Sequence, residues 1–422
     1  MKRFGDLRDW FFEKRFGLFV HWGIYSVGER HEQELWRFGT PREEYERYAE
    51  CFNPVNFNPR AWLDAAENAG MQYLVFTAKH HDGFCMWETH ETDFNIMNTP
   101  YRRDVLGMLA DECHKRNFPL VIYYSAVDWH HPQYPNLGRH HEIVTAPEKH
   151  DMDAYMRFLK AQVRELCTNY GTIHGFWWDM NVPKYVDDSV NEMIRNLQPA
   201  AVINNRGYGE GDFSTPERNF QENPTLPFAA PTEACDSIGV NSWGYRREED
   251  YYSVYVLERK IASILALGGN FLLNAGPRPD GTFPPEALHL LSAIGTWFQR
   301  VSHALTAPPC YGVLENPTVF CTGRGRELNL ILAEGPSSST LPLFPLNVLP
   351  EKVELLNTGT VLEWTTSPVI YQRGQPEHLR LRGIPADELY GEIPVIRLTF
   401  RGDVIHGRSV EAASDAGSVA QG

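Results

Sequence analysis

Over its first 300 residues the chain alternates apolar runs of strand length with amphipathic runs of helical length, and few folds accommodate that alternation. The strand-like runs are FGLFVHW (16–22), YLVFTAKH (73–80), FPLVIYYS (118–125), GFWWDM (175–180), AVINN (201–205) and GGNFLLNAG (268–276). Between several of them, PRAWLDAAENAG (59–70), DVLGMLADECHKRN (104–117), YMRFLKAQVRELCTNYG (155–171) and SVNEMIRNLQP (189–199) repeat apolar residues at i, i+3 and i+4, as does YVLERKIASILALG (255–268). Each closes on Gly, Asn or Pro, the residues that end helices. Strand–helix alternation of this length predicts parallel strands wrapped by helices. The number of units suits an α/β, (β/α)8-like (TIM-type) barrel over residues 1–305. After the helical stretch 284–305 the texture changes to short alternating runs cut by Pro and Gly, such as KVELLNTG and PVIRLTF. That pattern predicts a C-terminal all-β sandwich over 306–410, and the small polar end at 411–422 reads as a flexible tail.

Each strand run ends in polar or aromatic residues: His21-Trp22, Lys79-His80-His81-Asp82, Tyr123-Tyr124-Ser125, Asp179 and Asn204-Asn205. Barrels of this kind build their sites at the C-terminal ends of their strands, so these residues share one rim. Asp179 follows Phe176-Trp177-Trp178, where a carboxylate is costly to bury without partners. It is either a hydrogen-bonded structural aspartate or a nucleophile or base facing a pocket. Adjacent strand residues point to opposite faces, so His80 and His81 reach one pocket only where the strand is ending. Histidine is a common metal ligand, but no HxH or HExxH spacing completes a coordination sphere. Imidazoles binding vicinal hydroxyls fit better. His21, Glu34 and Trp36 suit a sugar ring, which shows one apolar face and a fringe of hydroxyls; Trp22 can equally be core. His130-His131 and His140-His141 read as solvated loop histidines.

Composition narrows the partners. A formal charge of −15 argues against nucleic acid. No apolar run approaches a membrane span, and the start MKRFGDLRDWFF lacks the core of a secretory signal. Seven cysteines without CxxC spacing give no disulfide framework; Cys85, Cys113 and Cys167 read as buried thiols, and a cytoplasmic protein is expected. The sequence leaves a homo-oligomer open. A retaining glycosidase needs a second carboxyl beside its nucleophile. Glu217, Glu222 and Glu233 are the contenders, and spacing does not choose among them.

The runs FGLFVHWGIYSV, TAKHHDGFCMW (77–87), VIYYSAVDW (121–129), GFWWDM, TEACDSIGVNSWGYRRE (232–248) and GGNFLLNAGPRPDGTFP (268–284) resemble, in this order, the α-L-fucosidases of glycoside hydrolase family 29. KHHDGF followed by LLNxGPxxDG is highly specific. The resemblance implies a barrel with a β-sandwich and retaining hydrolysis of terminal α-L-fucose from oligosaccharides or glycoconjugates, with no cofactor and no metal. It makes Asp179 the nucleophile and has His21, His80, His81 and Tyr123 bind the sugar. Glu34 and Trp36 look like the family's adjacent Glu-Trp pair, here split by Leu35. Glu233 looks like the acid/base, with Thr232 where the family has Trp; the position varies among subfamilies, so Glu217 stays a rival. Met180 stands where a Gly commonly follows the nucleophile. Arg218 is the nearest match to the family's sugar-binding arginine.

The expected chemistry is double displacement, with Asp179 attacking the anomeric carbon and Glu233 as acid and then base. Fucose carries a methyl where galactose-type sugars carry a hydroxymethyl, so an apolar patch including Trp243 and Phe271 is expected to select it. Other readings stay open: a glycosidase for a related sugar such as L-galactose, a catalytically silent sugar-binding homologue, and a metal-dependent barrel hydrolase.

Overall fold

Apolar runs without polar alternation belong in a parallel sheet covered on both faces, and the first strand, β1 (Phe16–Val20), is buried at every position. The computed structural model describes residues 1–181, 184–218, 226–310, 318–346, 348–368, 377–389 and 391–403. Glu222 and the expected tail at 411–422 lie outside them. The chain divides into two units, one of Met1–Asn219, Ala230–Tyr252 and Asn270–Ser292, the other of Phe220–Ala229, Ser253–Gly269 and Ala293–Gly422.

In the first unit, β1 joins β2 (Leu74–Lys79), β3 (Leu120–Ser125), β4 (Gly175–Asp179), β5 (Val202–Ile203), β6 (Glu233–Ser237) and β7 (Asn270–Asn274) in one parallel sheet, ordered β5-β4-β3-β2-β1-β7-β6. Six of these strands fall where the apolar runs predict them. β6 carries Glu, Asp and Ser in five residues and is not among those runs. The eight-strand expectation is not met in full. Between β5 and β6 the described residues form only isolated parallel bridges, Asn204 with Phe213, Ser214 with Thr232 and Glu217 with Cys235, and the regular strands make a curled sheet of seven. Pro216, Pro231 and the polar run at 214–218 interrupt any ladder there.

Inside the curl, Phe19, Tyr73, Val75, Val121, Tyr123, Trp177, Cys235 and Leu272 form one apolar cluster, and Phe11 plugs it against Phe213 at 4.8 Å. Outside, helices α1 (Pro59–Asn68), α2 (Val105–Lys115), α3 (Met152–Asn169) and α4 (Asp188–Leu197) follow β1, β2, β3 and β4. Their starts are fixed locally. Asn58 caps α1 through the amides of Arg60 and Ala61 with Pro59 at the first helical position, Asp104 caps α2 through Gly107, and Asp151 caps α3 through Ala154. Each such cap contributes about 1 kcal/mol.

The second unit contains α5 (Val254–Ala266) and two antiparallel sheets. One orders β12 (Thr360–Val361), β11 (Lys352–Leu355), β15 (Val395–Thr399), β9 (Glu327–Leu332) and β8 (Val319–Arg324); the other orders β10 (Thr340–Leu343), β14 (His378–Arg382) and β13 (Glu363–Ser367). Alternate residues of both sheets, among them Leu328, Leu330, Leu343, Val353, Leu379, Leu381 and Leu398, meet in one core. The period-two pattern of the sequence is the cause. No helix among the described residues is long and apolar enough to cross a membrane.

Candidate active site

Asp179 is the last residue of β4 and the only one of that strand that is not fully buried. Its carboxylate is held from two sides: Tyr123 on β3 donates its hydroxyl to Oδ2 at 2.7 Å, and Arg206 donates Nη1–H to Oδ1 at 3.0 Å. Burial alone would raise the pKa of Asp179. The Arg206 guanidinium, His81 and the Tyr123 hydroxyl outweigh it and hold the carboxyl below its ordinary value. The same Arg206 nitrogen also donates to Glu217 Oε1. Two hydrogen bonds to one nitrogen confine the two carboxylate oxygens to within about 6 Å of each other. Carboxyl pairs of retaining glycosidases stand about 5–5.5 Å apart and those of inverting ones about 6.5–9.5 Å apart. The Glu217 side chain keeps 38% of its surface exposed; desolvation of the rest raises its pKa, Arg206 opposes the rise and the charge of Asp179 adds to it, with a net upward shift.

The histidines converge on the same rim. The pairing of β2 with β3 shifts register between Thr77 and Lys79, a bulge that turns the following side chains. Lys79 is thereby sent outward to Asp128 at 2.7 Å, and both His80 and His81, just past the strand end, turn in. His80 stacks on Tyr123 at 5.7 Å and lies 5.6 Å from His21 and 4.0 Å from His81 between ring centroids. His81 Nε2 lies 3.8 Å from Asp179 Oδ2. Burial pushes His21 and His81 down to about 4, and His80 well below its usual value, so all three rings are neutral at pH 7. Trp177 lies beneath, stacked on Tyr123 at 5.6 Å and covered by the Arg206 guanidinium at 4.7 Å. Trp243 closes one side, its ring 5.3 Å from His21. Among the described residues no three His, Cys, Asp or Glu side chains are grouped so as to hold a metal ion.

This geometry stands on a chain that matches known proteins along most of its length. The family model described as Alpha-L-fucosidase matches residues 2–303. The chain belongs to the α-L-fucosidase family. It is 28% identical over 393 residues to the tissue alpha-L-fucosidase of Bos taurus, covering 85% of this chain and 82% of that one. Among solved structures, alpha-L-fucosidase isoenzyme 1 from Paenibacillus thiaminolyticus superposes with a TM-score of 0.83 at 31% identity, covering 94% of this chain and 99% of that one. A Bacteroides thetaiotaomicron GH29 alpha-L-fucosidase, solved as a covalent intermediate trapped with 2-fluoro-fucosyl fluoride in a glutamate-to-glutamine mutant, superposes at 0.79 with 26% identity, covering 95% and 98%.

Of the fucosidase residues expected from sequence, the fold gathers Asp179, His21, His80, His81, Tyr123 and Trp243. Trp36 reaches the group through His141, on which it stacks at 4.6 Å; His141 is 5.9 Å from His81 and so is not a free loop histidine. Trp22 is core, packed against Phe57 and Trp62. Glu233 and Glu34 are placed elsewhere. Glu233 is the first residue of β6, at the end of the strand opposite the rim, 2% exposed, with Tyr73 Oη at 2.6 Å and Trp177 Nε1 at 3.0 Å; burial raises it to about 7. Glu34 takes hydrogen bonds from Tyr48 and Thr40 and ties down its own loop. Phe271 faces away from the pocket, because Leu272 on its strand belongs to the inner cluster and neighbouring residues alternate; its ring sits 6.4 Å from Phe16. Arg218 lies over Trp243 at 4.8 Å and donates to the Val240 carbonyl.

Two residues of the site escape sequence reading. Arg206 sits in the NNRGYGEG loop after β5, 27 positions from Asp179, with nothing local to mark it. Glu32 is buried, and its Oε2 accepts from Ser242 Oγ at 2.7 Å, Trp243 N at 2.9 Å and Gly244 N at 3.1 Å, while its Oε1 has no partner. Burial opposes its ionisation, but His31, the Ser242 hydroxyl and nearby His21 hold it at about 2.

Proposed function

We propose that this chain releases terminal α-L-fucose from fucosylated oligosaccharides or glycoconjugates with retention, using Asp179 as nucleophile and Glu217 as acid/base. The single observation that carries the pair is the Arg206 nitrogen that both carboxylates share. In the first step an Asp179 oxygen bonds to the anomeric carbon, the glycosidic C–O bond breaks, and the Glu217 proton goes to the leaving oxygen. In the second, water bonds to the same carbon, its proton returns to Glu217, and the ester to Asp179 breaks. Arg206 and Tyr123 keep Asp179 ionised at working pH, as a nucleophile requires. Glu217, 38% of its side chain exposed, is shifted upward by desolvation and by the charge of Asp179 against the pull of Arg206, the direction an acid requires. Forming the ester removes the Asp179 charge, so the Glu217 pKa falls just when a base is needed.

Glu233 supports the site from beneath. Its hydrogen bond to Trp177 Nε1 sets the ring on which Tyr123 and Arg206 lie, and both of these grip Asp179. The neutral imidazoles, Trp243 and Glu32 bound the space beside the nucleophile with sugar-binding chemistry. A covalent intermediate trapped in a relative with TM-score 0.79 supports the double displacement. Incubating the enzyme with 2-fluoro-fucosyl fluoride and mapping the labelled peptide tests it: a 2-fluoro-fucosyl ester on Asp179, formed with loss of the anomeric fluoride, is expected, and an adduct on any other carboxylate overturns the assignment.

A further inference from the structure

We infer that Asn274 and Ser125 are positioning residues that hold the protons of His21 and His81 on Nδ1, so that both rings meet the substrate with bare Nε2 lone pairs and bind only hydroxyls that donate. The inference rests on the reading of this pocket as the fucose site, and it adds to that reading the polarity of recognition.

Asn274 ends β7 and is fully buried. Its amide cannot be turned over. Nδ2 lies 2.6 Å from the Trp243 carbonyl, which only accepts, and Oδ1 lies 3.1 Å from the His21 backbone N–H, which only donates. A third contact joins the same Oδ1 to His21 Nδ1 at 2.8 Å. Oδ1 has no hydrogen to give, so the proton of that bond sits on Nδ1. Ser125 reaches the same result by another route. Its one hydroxyl hydrogen is spent on the Val127 carbonyl at 2.7 Å. Toward His81 Nδ1, also at 2.7 Å, Ser125 Oγ can only accept, and Nδ1 is again the donor. A neutral imidazole with its proton on Nδ1 has none on Nε2. Both rings are neutral, because burial depresses them far more than the nearby carboxylates raise them.

The partners thereby set the character of the wall. His21 Nε2 and His81 Nε2 are acceptors, and the ionised Asp179 adds another on the same side. A hydroxyl facing such a wall must donate. Removing the hydroxyl leaves a buried acceptor unpaired and weakens binding about 10- to 100-fold. Replacing it with fluorine, close to it in size but unable to donate, restores none of that loss.

The experiment measures Kd of L-fucose and of its monodeoxy and monodeoxyfluoro analogues at C2, C3 and C4, as competitive ligands of the whole enzyme. Where the deoxy sugar loses affinity through either histidine, the fluoro sugar is expected to lose as much. Recovery of affinity by fluorine at every such position overturns the inference. Failure of L-fucose itself to bind is a different result, and sinks the fucose-site reading instead. A second readout needs no variant: ¹⁵N spectra of histidine-labelled enzyme are expected to show two buried neutral rings with pyrrole-type Nδ1 and pyridine-type Nε2. In Ser125→Ala one of these signatures is expected to shift toward the other tautomer while the fluoro–deoxy difference reappears. Loss of thermal stability without either change would mark Ser125 as merely structural.

Discussion

Replace Glu217 with glutamine and the site keeps its shape but loses its proton. The amide oxygen can still accept from Arg206, so Asp179 stays gripped and nucleophilic, and only acid/base chemistry is removed. A positioned general acid supplies about 10²–10⁴ in rate. That loss should appear in full for a fucosylated oligosaccharide, whose leaving sugar needs protonation. With an aryl fucoside whose phenol leaves unaided, ester formation should fall less than about 10-fold, and the intermediate should accumulate as a burst because no base activates water. Added azide, which needs no base, should restore turnover and yield fucosyl azide. The parallel variant Glu233→Gln supplies the control. One oxygen of the carboxylate faces Tyr73 Oη and the other Trp177 Nε1, so an amide there leaves one buried donor without an acceptor. The cost is about 1–3 kcal/mol of stability, read by urea unfolding, with no dependence of the rate on leaving group. Stopped-flow kinetics on a series of aryl fucosides decides between them. A steep leaving-group dependence and azide rescue in Glu233→Gln, with neither in Glu217→Gln, refutes the assignment.

Removing the shared cation by Arg206→Ala withdraws the main force holding Asp179 below its ordinary pKa, leaving burial to raise it. Because Asp179 must be ionised, the acid limb of the pH profile of kcat/KM should move to higher pH, and an unmoved limb would remove Arg206 from the mechanism. Met180 adopts a left-handed backbone with φ of 60° directly after the nucleophile, a conformation that costs a side chain about 1–2 kcal/mol. After the entropy that glycine loses on folding, Met180→Gly should still raise stability by up to about 1 kcal/mol, visible as a higher Tm. His21 and His81 fall from 6.5 to about 4 on burial. The unfolded chain therefore takes up protons that the native state refuses; their contribution is complete above pH 6.5 and is lost as pH falls toward 4. Between pH 7 and 5 the enzyme should lose about 2 kcal/mol of stability for each ring, and a pH-independent unfolding free energy over that range would contradict their burial as neutral groups.

What the sequence settles by itself is whatever depends on neighbours along the chain. Strands of five or six apolar residues, helices with capping Asn or Asp, and alternation in the second unit are local patterns, and they appear where the pattern puts them. Because a strand end is a local event, the residues that terminate β1 to β4 could be read as one rim, which brought in His21, His80, His81, Tyr123 and Asp179. Even the outward turn of Phe271 was legible in principle, from its odd position beside Leu272.

The tertiary structure decided everything that rests on contacts between distant segments. Glu32 and Glu34 are two residues apart, and only the loop carrying Ser242 and Trp243 selects between them. Glu217 and Glu233 both lie in a polar stretch with no periodicity; their places separate because one bridges toward β6 beside Arg206 while the other begins β6 beneath Trp177. Spacing carries no sign of a guanidinium 27 residues from Asp179, nor of which ring nitrogen holds a proton. These are consequences of which strands lie side by side and of burial that lets a few hydrogen bonds dictate charge. Local sequence placed the chemistry on one face of the protein; packing across that face assigned each group its part.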